Sequence, residues 1–131
     1  PDQIVVFGES LGGAVAGWIA KEYRPAALIL EGTFTSTRDM GKVLYPYLPM
    51  RYLVTHRFPT VDYVSQIRCP VLIIHSIEDE VVPYAFGEKL FAAAPEPKEF
   101  LTVHGNHGDA MMVSWPLFKD KIEGFLKKYG H

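Results

Sequence analysis

Four short apolar runs, rich in β-branched residues, punctuate the chain: Ile4–Phe7, Ala27–Leu30, Val71–His75 and Phe100–His104. Each run is continuous rather than alternating, which is the pattern of a strand buried on both faces. Helix-length segments lie between them. Gly12–Glu22 follows the first run, and Tyr84–Ala94 follows the third. The last segment, Ala110–Tyr129, carries Met111, Trp115, Phe118, Ile122, Phe125 and Leu126 at spacings of three and four, with lysines on the other face. That stripe is a packing face, and Pro116 is expected to set a helix start or a kink. Strands alternating with helices predict an α/β protein with a mostly parallel sheet of about four strands flanked by helices. Residues 1–131 read as one unit. Within it, 36–60 is too long for a plain crossover loop and is broken by Pro46, Pro49 and Pro59. It mixes Arg38, Lys42, Arg51, His56 and Arg57 with Tyr45, Tyr47, Tyr52 and Phe58. Two readings stand for it: a lid-like insertion that forms a pocket wall, or an amphipathic helix pair covering the sheet.

The junction between the first strand and the first helix carries chemistry. Gly8-Glu9-Ser10-Leu11-Gly12 fits G-x-S-x-G, in which a serine sits on a sharp strand-to-helix turn. The turn is strained, and side chains two positions either side of the serine would collide with the adjoining elements, so Gly8 and Gly12 are expected to relieve both contacts. The helix N-terminus behind Ser10 offers backbone N–H groups to a developing oxyanion.

A serine nucleophile needs a base, and the base needs an orienting carboxylate. Both have candidates past the C-terminal ends of later strands, where open α/β sheets build their sites. Glu78-Asp79-Glu80 follows the third strand, and Gly105-Asn106-His107-Gly108-Asp109 follows the fourth. Asp79 and His107 complete the order Ser, acid, His. Glu78 and Glu80 read as solvated or helix-capping acids. His104 closes its strand and is the rival base, whereas His75 reads as a core residue inside the third strand. His56 and His131 are weaker candidates.

These residues resemble those of α/β-hydrolase-fold serine hydrolases. The likeness is to the small alpha/beta hydrolase domain proteins related to dienelactone hydrolases, prolyl oligopeptidases and acyl-protein thioesterases. It rests on Gly8-Glu9-Ser10-Leu11-Gly12-Gly13, on Cys69-Pro70-Val71-Leu72-Ile73-Ile74-His75 with Asp79 and Val81-Val82-Pro83, and on Gly105-Asn106-His107. Thr35–Met40 and Tyr45–Pro49 resemble the group as well. The resemblance implies Ser10 as nucleophile, Asp79 as acid, His107 as base and the Leu11 N–H as one oxyanion donor. The sequence shows no metal-ligand spacing and no phosphate loop, so no cofactor and no metal are expected. Ser76 and Gly108 depart from the group's usual Gly and Asn. The resemblance also implies strands ahead of the elbow and a second oxyanion donor from an earlier loop, for which this sequence has no counterpart. The chain therefore reads as the C-terminal half of such a fold, a fragment with weak or no activity of its own. Its strand 4–7 is then an apolar edge through which copies could associate.

Composition narrows the function classes. At 131 residues and 48% hydrophobic the chain can bury one core. A net charge of −2 leaves no nucleic-acid footprint. No apolar run is long enough for a transmembrane helix. The single cysteine excludes a disulfide framework, and the expected location is cytoplasmic. The expected partner is a small-molecule or acyl substrate, and the expected function is hydrolysis of a carboxylic ester, thioester or amide. The alternative is a non-catalytic binding or interaction module on the same scaffold.

Overall fold

The computed structural model describes residues 3–36 and 59–129. Its elements run β1 (Val5–Glu9), α1 (Leu11–Tyr23), β2 (Ala27–Glu31), α2 (Thr60–Ser65), β3 (Val71–Ser76), α3 (Tyr84–Ala93), β4 (Lys98–Val103), α4 (Ala110–Val113) and α5 (Trp115–Tyr129). The four strands form one parallel sheet in the order β1-β2-β3-β4. The expected four-stranded α/β architecture is therefore what forms. The insertion at 36–60 lies almost wholly outside the described residues, as do His56 and His131.

Alternation along β2 and β3 builds two cores. Leu28, Leu30, Val71 and Ile73 face one side and pack with Ala16 and Ala20 of α1, Val64 of α2 and Leu90 of α3. Ala27, Ile29, Leu72 and Ile74 face the other side and pack with Val103, Ala110, Phe118 and Phe125. The three described helices that lie between successive strands thus share one face, as expected when sequential parallel strands are joined by crossovers of one hand. The opposite face is covered by α4 and α5. That cover does not extend fully over β1, where Val5 and Phe7 remain 37% and 41% exposed. β1 pairs with β2, and among the described residues nothing pairs with its other edge.

The strands end later or earlier than the apolar runs suggested. β1 continues to Glu9, so the strand reaches the elbow itself, and β4 begins at Lys98 and stops at Val103. The C-terminal helix is divided. Ser114 interrupts it with φ −109° and ψ 27°, and α5 restarts at Trp115 with Pro116 in its first turn. Proline is tolerated there because first-turn N–H groups lack intrahelical acceptors. The Ser114 hydroxyl turns back to the β4 end, donating to the His104 carbonyl and accepting from the His104 N–H, each at 3.0 Å.

α3 approaches β3 through Gly87, where an added Cβ would lie 2.6 Å from His75 Nδ1 and 2.9 Å from His75 Cβ. Gly124 in α5 faces open space instead. The same substitution should therefore act with opposite signs. Gly124→Ala should stabilise by about 1 kcal/mol through helix propensity. At Gly87 that gain is outweighed by overpacking of about 1–3 kcal/mol, so Gly87→Ala should destabilise. Urea midpoints of the two variants check this; equal shifts would refute the packing account.

Candidate active site

The site is assembled from the C-terminal ends of all four strands. Ser10, between β1 and α1, has φ 54° and ψ −120°, a positive-φ conformation that a non-glycine residue adopts only under constraint. Its N–H donates to the Glu31 carbonyl at 3.0 Å and its own carbonyl accepts from Gly13 N–H at 3.1 Å, so β2 holds the elbow in place. Gly8 behaves as expected: an added Cβ would meet Ala16 Cβ at 2.6 Å and the Gly12 carbonyl at 2.7 Å. Gly12 does not. A Cβ there meets nothing within 4 Å, and the close approach falls one residue later, where Gly13 packs against the Thr33 side chain. The crowded positions face the sheet, and the helical turn carries residue 12 away from it. Leu11 begins α1, so its N–H belongs to the first turn and has no intrahelical acceptor.

Asp79 lies past β3 with its side chain 2% exposed. Four donors surround the carboxylate. Val81 N–H and Val82 N–H reach Oδ1 at 2.9 and 2.7 Å. His107 Nδ1 lies 2.8 Å and His75 Nε2 3.5 Å from Oδ2. Burial opposes the charge, but the hydrogen bonds from His107, His75 and the two valine amides outweigh it and hold the carboxyl well below the usual carboxylate range. An ionised carboxylate only accepts, so His107 Nδ1 carries the proton and Nε2 is left as the basic nitrogen. The hydrogen bond to Asp79 raises the His107 pKa against the effect of burial, with the charges of Asp79, Glu31 and Glu9 adding to it.

Gly32 ties these parts together. It follows Glu31 at the end of β2 with φ 59°, and a Cβ there would sit 3.3 Å from His107 Cε1 and 3.4 Å from Asp79 Oδ2. The strand end that accepts the Ser10 N–H is therefore also the wall of the His107–Asp79 pair. Among the described residues no hydrogen bond joins Ser10 Oγ to His107. Such catalytic bonds often close only when substrate engages.

The rival residues are separated by geometry. His104 is exposed and pairs with Glu78 at 2.8 Å, away from Asp79. His75 is fully buried, and its Nε2–H donates to the Val82 carbonyl at 2.8 Å, which leaves Nδ1 without a hydrogen-bond partner. It is a core residue, as expected, but one that also touches the acid. Cys69 is no alternative nucleophile: it is buried, and burial pushes its thiol up to about 11.

Three carboxylates were not legible as parts of this site. Glu78 and Glu80 are exposed, as expected of solvated acids, and they also accept hydrogen bonds from the loop that carries His107. Glu31 was not singled out at all, although an acid ending the apolar run Ala27–Leu30 was the available signal. It is 3% exposed, and burial together with Glu9, its register partner on β1, raises its pKa to about 7, against the pull of His107.

The sequence profile of the prolyl oligopeptidase family matches residues 1–108. The chain belongs to this family. An uncharacterised protein of Mycobacterium tuberculosis is 41% identical over 127 residues, covering 96% of this chain and 45% of its own length. Human alpha/beta hydrolase domain-containing protein 17B is 36% identical over 129 residues, covering 98% of this chain and 43% of its own. The chain thus spans less than half the length of these relatives. Among solved structures, an esterase from Pyrococcus furiosus superposes with a TM-score of 0.78 at 17% identity, over 98% of this chain and 54% of that one. The acylaminoacyl peptidase of Pyrococcus horikoshii gives 0.72 at 16% identity, over 98% and 24%. The fold is that of the α/β hydrolases. Among the described residues no helix is long and apolar enough to cross a membrane.

Glu31 yields a pH prediction. Its folded pKa of about 7 exceeds the ordinary 4.5, so the folded state binds the proton more tightly than the unfolded one. Stability from this group is complete below pH 4.5 and is lost as pH rises to about 7. Glu31→Gln cannot ionise, so relative to the parent it should gain roughly 2 kcal/mol between these limits, after discounting for screening. Urea midpoints at acid and neutral pH measure it. A difference that stays constant with pH would contradict the assignment.

Proposed function

We propose that this protein supplies the catalytic residues of a serine hydrolase acting on a carboxylic ester, thioester or amide. Ser10 Oγ attacks the carbonyl carbon. His107 Nε2 accepts the Ser10 proton and then delivers it to the leaving group, while Asp79 holds the ring and stabilises the imidazolium. The Leu11 N–H donates to the oxyanion. Water, activated by His107, then attacks the acyl-enzyme and frees Ser10.

The observation that carries this reading is the 2.8 Å hydrogen bond between His107 Nδ1 and a buried Asp79, walled by the same strand end that fixes the Ser10 elbow. It leaves Nε2 as the nitrogen free to work on Ser10. The family supports the reading too, since its solved neighbours include an esterase and an acylaminoacyl peptidase. Both activities transfer an acyl group to water, and the reading is kept at that level of substrate class.

A fluorophosphonate probe applied to the intact protein tests it. Labelling should be abolished by Ser10→Ala and by His107→Ala, and Asp79→Asn should slow it by about four orders of magnitude by mis-setting the imidazole tautomer. His107 must be neutral to act, and its pKa is raised above 6.5, so the acid limb of the labelling rate should lie above pH 6.5. A folded protein that never labels, or a Ser10→Ala variant that labels normally, would refute the proposal.

A further inference from the structure

The loop after β3 does more than deliver Asp79. Three of its side chains, with that of Ser76 at the end of β3, reach the loop after β4, and no two make the same contact. Ser76 Oγ donates to the Gly105 carbonyl at 2.5 Å and accepts from Glu78 N–H at 3.1 Å. Glu78 Oε1 lies 2.8 Å from His104 Nδ1 and 3.3 Å from Gly105 N. Asp79 takes the His107 ring at 2.8 Å. Glu80 takes the His107 main chain, with Oε2 at 3.0 Å and Oε1 at 3.3 Å from its N–H. Among the described residues no lysine or arginine forms a salt bridge with Glu80.

We propose that Glu80 is a positioning residue for His107, anchoring its backbone while the adjacent Asp79 anchors its ring. The inference rests on His107 being the base of the proposed hydrolase. A base that takes a proton from one oxygen and gives it to another needs Nε2 at a fixed point. The hydrogen bond at Nδ1 fixes one end of the ring but leaves it able to pivot about that bond if the Cα moves. A hydrogen bond to the main-chain N–H of the same residue removes the pivot. Both anchors come from consecutive residues of one loop, so the distance between them does not change when the loop shifts as a whole. Gly105, with φ 110°, and the turn closed by the Asp109 N–H to Asn106 carbonyl bond give the His107 loop a shape that presents ring and amide to this loop together.

Displacements of the order of 1 Å at a reacting atom cost on the order of 100-fold in rate. A partly released His107 should cost less. In the intact protein, Glu80→Ala should slow fluorophosphonate labelling and ester turnover by about 10-fold in kcat, with KM and melting temperature held near parental values. Glu80→Gln keeps an oxygen acceptor for the amide and should restore the rate to within about 2-fold of the parent. Normal labelling by Glu80→Ala while Ser10→Ala and His107→Ala stay silent would overturn the positioning role alone. An equal loss in Glu80→Gln would overturn it as well, by making the charge and not the hydrogen bond the active feature. Normal labelling by Ser10→Ala would instead overturn the hydrolase reading beneath it. If Glu80→Ala fails to fold, Glu80→Leu, which keeps the bulk but has no oxygen acceptor, takes its place: the same loss supports the role and a parental rate overturns it.

Discussion

A carboxylate held in its charged form inside the protein is the constraint on which the rest of this site depends. Asp79 is 2% exposed, and burying an ion without partners would force it to take up a proton. Two backbone amides that follow it in the turn, one ring nitrogen from β3 and one from the far loop prevent this. Each of those donors has a structural consequence. The valine amides fix the turn that leads into α3. His75 must stay inside β3 with its Nε2 aimed at the turn, which requires α3 to come close and leaves only a glycine at position 87. His107 must present Nδ1, which sets its tautomer and leaves Nε2 as the basic nitrogen. The geometry of three elements thus follows from keeping one charge.

Glu31 shows the opposite solution at the same end of the sheet. It is buried too, but burial and the neighbouring Glu9 charge dominate and raise its pKa to about 7. Two carboxyls at one end of a sheet are thereby driven apart, one permanently charged and one switching between states. The separation follows from where the backbone donors lie. The turn after β3 aims its amides at Asp79, while the end of β2 commits its carbonyl to the Ser10 N–H and its glycine to the His107 wall. The same strand end stabilises the elbow and accepts a costly buried acid.

The parts of this arrangement that were legible in the sequence were those governed by local rules. Continuous apolar runs gave the strands, and a serine between glycines at a strand-to-helix junction gave the elbow. Acid and histidine past later strand ends gave Asp79 and His107. What escaped depended on contacts between distant segments. Glu78 and Glu80 look like solvated acids until β3 and β4 pair in register and bring their following loops face to face. Gly12 seemed the necessary glycine by its place in the motif, yet Thr33 from beyond β2 makes Gly13 the crowded position. The break at Ser114 was shadowed by Pro116, but its cause is a serine hydroxyl that leaves the helix to bind both backbone groups of His104. Periodicity along one segment carries no record of such pairings.

Family membership, the parallel sheet and the buried acid–base pair support the proposal that Ser10, His107 and Asp79 act as a unit. The most direct measurement is a crystal structure of the intact protein after reaction with a fluorophosphonate. The account predicts phosphorus bonded to Ser10 Oγ, a phosphoryl oxygen facing the Leu11 N–H, and His107 Nε2 within hydrogen-bonding distance of the adduct while Nδ1 still holds Asp79. An adduct on another residue, or a His107 turned away from the modified Ser10 with its Asp79 bond intact, would contradict it.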